Sequence, residues 1–440
     1  MKQLMKVLFF VCLVACKTNG KSQSPYSVTT STVKKLLDST DLGKNYHGSI
    51  LIADGDEILF KKAYGINGIT KEPNKVDTKY GIASMGKMFT AIAIMQLAEK
   101  EQISLEQTIG DILKDYPNEQ AKKITVKQLL SHTSGLGDFF GPEFDQHQDS
   151  IKNLKDFLPF FVNDPLEFTP GDQMRYSNAG YIVLGLIIEK ITGTDHNSYV
   201  AKNILAPSGM SSKVSLSSSA GGGDLTIDDF HKFALALKNN TLISKESFSQ
   251  MTIDHYGNGY GYGMSLRNLN GKAIYGHNGG APGTSGELDM VKGDSLIIIT
   301  LSNRSPMEGW AQLRTNIRKE FFGSTPETTE FLNTEAVVKT YKEKGFEEAR
   351  KLLTKLDNKI SDRNTFRFAQ QYAEQGQVNM AIDILKLIVQ AYPNEWHPYS
   401  FLADFQLQAG LKDKAIENYK KSLELNSENE HAIQQLKTIK

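Results

Sequence analysis

The sequence predicts an α+β domain, with an antiparallel sheet formed by its N- and C-terminal parts and a helical lobe inserted between them, followed by an all-α domain. Three observations predict it. Strand-like runs stand at both ends of one region: Ser49-Ile50-Leu51-Ile52-Ala53 and Glu57-Ile58-Leu59-Phe60 early, then Tyr262 to Arg267, Lys272 to Tyr275, Gly286 to Val291 and Leu296 to Leu301. The stretch between them, from Ser84 to about Leu237, reads as helices and long loops. Beyond a Gly-, Ser-, Thr- and Pro-bearing break at 323–330 the pattern becomes wholly helical. At 440 residues the chain exceeds one ordinary core, so two or more domains are expected.

At the N-terminus, Lys2 and Lys6 precede an apolar run from Val7 to Ala15 that is too short to span a bilayer. With Cys16 it forms Leu13-Val14-Ala15-Cys16, which resembles the lipobox of bacterial lipoproteins. That resemblance implies a signal at 1–16, Cys16 lipidated as the first mature residue, and a lipid-anchored protein of the cell envelope. Cys12 would leave with the signal, so the mature chain would carry one cysteine and no intrachain disulfide. A polar tether (17–27) and a short helix from Val33 to Asp38 lead into the first strand pair, where Asp54-Gly55 is a hairpin signal. The first domain (28–322) closes with a helix from about Glu308 to Phe322.

After the linker (323–330), residues 331–440 carry an internal repeat. Gly376 and Gly410 stand 34 residues apart, as do Ala381 and Ala415, Ile382 and Ile416, and Ala369 and Ala403. This period resembles the tetratricopeptide (TPR) repeat over about Thr365 to Ala432, with Pro393 in the inter-repeat turn and Tyr419 and Leu423 packing within the second unit. Tyr341 to Leu356 reads as a degenerate helical pair ahead of them. So few repeats are marginal alone, and docking on the first domain is expected.

Fifty basic and fifty acidic residues cancel, which points away from a nucleic-acid partner. No metal cluster, phosphate loop or nucleotide fingerprint is present in the sequence, so no cofactor is expected. Specificity must come from a site.

The chemistry-bearing motif is Ser84-Met85-Gly86-Lys87. A serine hydroxyl is a weak nucleophile, and an amine one helical turn away on the same face can take its proton if that amine is neutral. The chain holds a second Ser-x-x-Lys, Ser31-Thr32-Val33-Lys34. The residues C-terminal to each motif separate the two. Met88, Phe89, Ala91, Ile92, Ala93, Ile94, Met95, Leu97 and Ala98 make a helix apolar nearly all round, which implies burial of Lys87 and a lowered pKa. Ser84 would sit at the N-terminus of that helix, where free N–H groups favour negative charge. Ser31 precedes only a short polar helix.

A serine hydrolase also needs a second proton-handling group and oxyanion donors. Tyr176-Ser177-Asn178 is the candidate for the first. The Tyr-x-Asn pattern recurs at Tyr116, Tyr256 and Tyr392, but only Tyr176 precedes an apolar helix, from Tyr181 to Ile191, at a loop-to-helix junction. His277-Asn278-Gly279-Gly280 is the third element, with bare glycines that let a substrate backbone approach.

In this order the three motifs resemble the serine β-lactamase and penicillin-binding-protein superfamily, over about Val28 to Phe322. The class C-like branch, with its D-aminopeptidases, DD-carboxypeptidases and carboxylesterases, is the nearest group. Leu129 to Leu136, Thr169 to Asn178, Gly221-Gly222-Gly223 and Gly276 to Gly283 add to the likeness. The resemblance implies a β-lactamase/transpeptidase-like fold and Ser84 as nucleophile. Lys87 and Tyr176 would share proton transfer, with the base undecided between them. Asn178 would hold the substrate amide or Lys87, and the N–H groups of Ser84 and Gly280 would form the oxyanion hole. His277, Gly279 and Gly280 would line the substrate. His132 belongs to scaffold packing, and Gly221 to Gly223 lead into a helix capped by Thr226 with Asp229 three residues on.

The sequence departs from antibiotic-hydrolysing members at His277, where they carry Lys-Thr-Gly; that tripeptide occurs nowhere in this chain. A histidine is mostly neutral near pH 7, so anchoring of a substrate carboxylate is weakened. The expected function is a serine hydrolase acting through an acyl-enzyme on a small ester or peptide, peptidoglycan-derived peptides among the candidates. The alternatives are a non-catalytic platform whose TPR module binds a protein partner, and a β-lactamase. Specificity would lie in loops such as Asp138 to Ser150 and Ser211 to Ala220.

Overall fold

The computed structural model describes residues 23–211 and 216–439. The signal, Cys16 and most of the tether lie outside the described residues. The strands are β1 (Gly48–Asp54), β2 (Glu57–Tyr64), β3 (Tyr80–Gly81), β4 (Asp224–Leu225), β5 (Ser265–Leu269), β6 (Lys272–Ala281), β7 (Thr284–Val291) and β8 (Leu296–Ser302). Six of them form one antiparallel sheet in the order β2-β1-β8-β7-β6-β5, so the early hairpin joins the late strands through β1 and β8. β3 and β4 pair separately beside the cleft.

The register of β1 against β8 explains why each carries an unbroken apolar run, Ile50 to Ala53 and Leu296 to Ile299. Leu51, Ala53, Ile297, Ile299 and Leu301 enter the core of the helical lobe. Ile50, Ile52, Leu296 and Ile298 enter a second core on the other face, with Val33 and Leu37 from the Ser27–Ser39 helix, Leu313 and Ile317 from the Ala311–Phe322 helix, and Trp310 just before it. A strand sends alternate side chains to opposite faces, so a sheet covered on both sides needs both sets apolar. The result is three layers. Lys87–Glu99 is the central helix of the lobe, buried at every residue from Lys87 to Leu97.

Several expected boundaries move. The strand expected from Tyr262 starts at Ser265, because Gly263 adopts φ +69° and lies so close to the central helix that a Cβ there would come within 2.4 Å of Ala91 Cβ. β6 runs on from Tyr275 to Ala281, since pairing with β7 continues to Ala281 and Thr284, and this places His277 in a strand. The helix expected from Glu308 becomes regular only at Ala311, after a turn in which Gly309 takes φ +92°. The first helix is Ser27–Ser39, longer than expected, and Ser24 already donates a 2.7 Å hydrogen bond to Asp54, so the domain holds the end of the tether. Thr226 accepts from Asp229 N–H as a cap, but the expected capping box gives way to another use of the Asp229 carboxylate, which accepts from Ser211 N–H at 2.8 Å.

Most of the expected linker is helix, since Pro326–Lys344 begins inside it with Thr325 as its cap. Phe346–Lys355 comes next, then Asp362–Glu374 paired with Val378–Ala391 and Trp396–Gln408 paired with Lys412–Leu425, then Glu430–Thr438. The second pair begins 34 residues after the first at both of its helices. Ala369, Ala381, Ala403 and Ala415 are fully buried where the helices meet. Phe331 enters the same core as Trp310 and Ile317, and Asp362–Glu374 packs on the Pro306–Trp310 turn, so the helical region is joined to the sheet domain at two places. No helix among the described residues is long and apolar enough to cross a membrane.

Candidate active site

Ser84 lies on a 3-10 turn, Ala83–Gly86, that feeds directly into the central helix. Ala83 before it is held in the left-handed region at φ +44°, a conformation that an L-residue keeps only where its surroundings enforce it. The glycine loop provides the enforcement. Gly222 N–H donates to Ala83 O at 2.9 Å and Ile82 N–H donates to Gly223 O at 3.0 Å. A Cβ on Gly221 (φ +133°) would come within 2.3 Å of Ala83 O, so only glycine lets this loop approach.

One turn on, Lys87 is fully buried and its Nζ makes three contacts: Ser84 Oγ at 3.3 Å, Asn178 Oδ1 at 2.6 Å and Ala220 O at 2.6 Å. Burial pushes its pKa down to about 7, against a smaller upward pull from Asp138. The two short contacts end on oxygens that can only accept, so a neutral amine spends both its N–H groups there. Its lone pair is then left for the Ser84 hydroxyl.

Asn178 begins the apolar Asn178–Thr192 helix, whose cap Ser177 accepts from Gly180 N–H and donates to Gly137 O. Asp138 Oδ2 accepts from Asn178 Nδ2 at 2.7 Å and from its backbone N–H at 3.1 Å. This fixes the amide so that its oxygen faces Lys87. Asp138 stands 40 residues from Asn178 with no periodic or motif signal linking them, which is why the sequence offers it only as the edge of a specificity loop. Ala220 acts through a backbone carbonyl, invisible to any reading of side-chain motifs, though the adjoining Gly221-Gly222-Gly223 marks the loop that delivers it.

Tyr176 stands over Lys87, with the Nζ 4.9 Å from its ring centroid, and 37% of the residue remains exposed on the cleft wall. Desolvation raises its pKa above the usual phenol range, while Ser84, within hydrogen-bonding reach, holds it down somewhat. His132 packs against its ring at 4.1 Å and accepts from Ser177 N–H through Nδ1 at 3.1 Å, so it positions the Tyr176–Ser177 segment from below.

His277 is 2% exposed and both ring nitrogens are engaged. Nδ1 faces Asn278 O at 2.5 Å and therefore carries the proton, and Nε2 accepts from Tyr260 Oη at 2.8 Å. Burial, and then the Lys87 charge, push its pKa down to about 3, so it is neutral at any physiological pH. Tyr260, absent from the expected site, thus completes an aromatic floor with His132, Tyr176 and His277.

β5 pairs with β6 only as far as Gly276, so from His277 to Ala281 the outer edge of β6 runs beside the Ser84 turn. A Cβ on Gly279 would lie 2.2 Å from Ile82 O. Ser84, Tyr176, His277, Gly279 and Gly280 line one cleft of about 850 Å³, together with residues of the Asp362–Glu374 helix. The other Ser-x-x-Lys lies elsewhere: Ser31 and Lys34 are exposed on the Ser27–Ser39 helix.

A sheet closed by both ends of its domain, a helical lobe, and a serine and buried amine between them are features of a serine hydrolase class. The β-lactamase family profile matches residues 45–320, and the chain belongs to that family, whose members are serine hydrolases. Among curated proteins it is 29% identical to penicillin-binding protein 4* of Bacillus subtilis (strain 168) over 236 residues, 52% of this chain and 45% of that one. It is 34% identical to protein flp of Staphylococcus aureus (strain MRSA252) over 167 residues, 36% of this chain and 32% of that one. The chain thus spans less than half the length of these relatives. Among solved structures, a penicillin-binding protein from Bacillus halodurans aligns with a TM-score of 0.56 at 27% identity, covering 65% of this chain and 99% of that one.

Proposed function

We propose that the protein is a hydrolase that cleaves an ester or amide through an acyl-enzyme on Ser84, of esterase, D-aminopeptidase or DD-carboxypeptidase type. The observation that carries the reading is the disposition of Lys87: buried, lowered to about 7, and bonded to two acceptors so that its lone pair is left for Ser84. In the acylation step Ser84 Oγ bonds to the substrate carbonyl carbon and its proton passes to Lys87 Nζ. The oxyanion is held by the N–H groups of Ser84 and Gly280. When the scissile C–O or C–N bond breaks, the leaving group takes a proton through Tyr176, whose raised pKa keeps it a neutral phenol and so a donor rather than the resting base. Water then hydrolyses the Ser84 ester. Asn178 keeps Lys87 in place, and Asp138 keeps Asn178 in place.

The penicillin-binding-protein relatives support a peptidoglycan-derived peptide or a small ester as substrate. The neutral, fully engaged His277 gives no support to efficient β-lactam hydrolysis through a cation at that position. The lipobox-like segment supports an envelope location with Cys16 as anchor, and the 34-residue helical offset supports a TPR module at 331–440. The test is turnover of a panel (a small ester, a D-Ala-D-Ala peptide and a chromogenic cephalosporin) with fluorophosphonate labelling. Ser84→Ala should lose labelling and at least about 10³-fold in turnover. Labelling and turnover that survive the substitution would overturn the reading.

A further inference from the structure

The cleft has a wall that belongs to the helical region. Arg363, Arg367, Gln370 and Glu374 of the Asp362–Glu374 helix line the same cavity as Ser84 and Gly280. Their spacing places them on one face of that helix, while Thr365, Ala369 and Tyr372 on the other side are buried. The two arginines are exposed to the cleft, one turn apart, so their like charges repel. Neither guanidinium has a hydrogen bond or ion pair among the described residues. Elsewhere in this region cations are neutralised along their own helix, as in Arg350 with Glu347, Lys351 with Glu348 and Lys386 with Asp383.

The nearby carboxylates are engaged otherwise. Asp362 pairs with His397 at 3.0 Å, Glu374 accepts from Gln370 at 3.1 Å, and Glu308 accepts from Ser305 N–H at the cap of its turn. An unpaired dication beside a nucleophile's cleft, with its repulsion uncompensated by the protein, is arranged for an anion that arrives with the substrate.

We infer that Arg363 and Arg367 form an anion-binding subsite, and that the substrate class is an acyl compound carrying a carboxylate away from its scissile bond. The inference rests on the hydrolase reading above and adds the chemical class of its substrate. It also gives the helical region a part in recognition. The cation that is missing from β6, where His277 is neutral, is supplied from a different domain and a different side of the cleft. Partial desolvation and the neighbouring Arg363 lower the pKa of Arg367, and a guanidinium stays ionised through such a change.

The experiment measures binding without chemistry, in full-length Ser84→Ala protein, by calorimetry with two probes: the monoester 4-nitrophenyl hydrogen glutarate, which is anionic, and neutral 4-nitrophenyl butyrate. The expected result is about a tenfold preference for the anionic probe at low salt, shrinking as ionic strength rises. Adding Arg363→Gln with Arg367→Gln should abolish the preference, whereas Arg363→Lys with Arg367→Lys should retain most of it. Equal affinity for the two probes in the Ser84→Ala protein, or a preference that persists in the double Gln variant, overturns the inference. The hydrolase reading is judged separately, by whether wild type turns over 4-nitrophenyl butyrate and Ser84→Ala does not.

Discussion

At the scale of single residues, the site turns on how one amine is kept neutral. Lys87 has no carboxylate against it, only neutral acceptors, and the nearest acid acts through Asn178. Since only the unprotonated amine can take the Ser84 proton, kcat/KM for a neutral ester should climb with pH to a plateau, with its inflection near pH 7. Asp138→Asn removes the charge that pulls the Lys87 pKa upward, so the inflection should move to lower pH. A pH–rate profile of both proteins checks this, and an inflection near that of a phenol would return the role of base to Tyr176. Much at this scale is legible in the chain itself. The apolar surroundings of Lys87 in the sequence foretell its burial, and the polar context of Ser31 foretells that its lysine stays solvated. Asp138, Ala220 and Tyr260 are not legible, because each reaches the site by a tertiary contact that leaves no spacing in the chain.

At the scale of elements, the nucleophile is positioned by close backbone approaches. The glycine loop Gly221 to Gly223, expected to do no more than lead into a helix, pins Ala83 in its left-handed conformation and delivers Ala220 O to Lys87. Gly221→Ala should therefore cost about 2–4 kcal/mol of stability and most of the activity, by the collision with Ala83 O and by strain at positive φ. Gly257→Ala, also at positive φ but with no atom within 4 Å of the added Cβ, should cost only about 1 kcal/mol and leave turnover intact. Denaturant unfolding and ester turnover of the two variants make the comparison. Hydrophobic alternation locates the strands well, yet it ends β6 at Tyr275, because Gly279 and Gly280 carry no apolar signal. Their hairpin partners in β7, Gly286 and Ser285, keep them in the sheet, and those partners carry no apolar signal either.

At the scale of the whole molecule, the helical region is built into the sheet domain. Phe331 is 2% exposed within the core of the outer helices, so Phe331→Ala should remove about 3–5 kcal/mol from the junction and speed proteolysis around Gly323 to Thr325. The same junction should respond to pH. Burial raises the Glu335 carboxyl to about 7, with Gln312 as its hydrogen-bonding partner in the Ala311–Phe322 helix. A carboxyl whose folded pKa lies above its unfolded value adds stability that is full below about pH 4.5 and is lost as pH rises through about 7. The thermal midpoint should fall across that window, and Glu335→Gln should flatten the dependence; an unchanged slope in the variant would exclude Glu335 as its source. The 34-residue spacing announces the repeated helical pairs, but nothing local announces that the Asp362–Glu374 helix borders the cleft.

The hold on the N-terminal segment has a consequence for orientation. Ser24 is bonded to Asp54 and Tyr26 to Asp294, in the turns that join β1 to β2 and β7 to β8. Those turns lie at the far end of the strands from Gly279, Gly280 and Thr284. If Cys16 is the anchor proposed above, the seven residues from Lys17 to Gln23 can span at most about 25 Å. The domain would then sit on a short leash with its strands pointing away from the bilayer and the mouth of its cleft turned away from lipid.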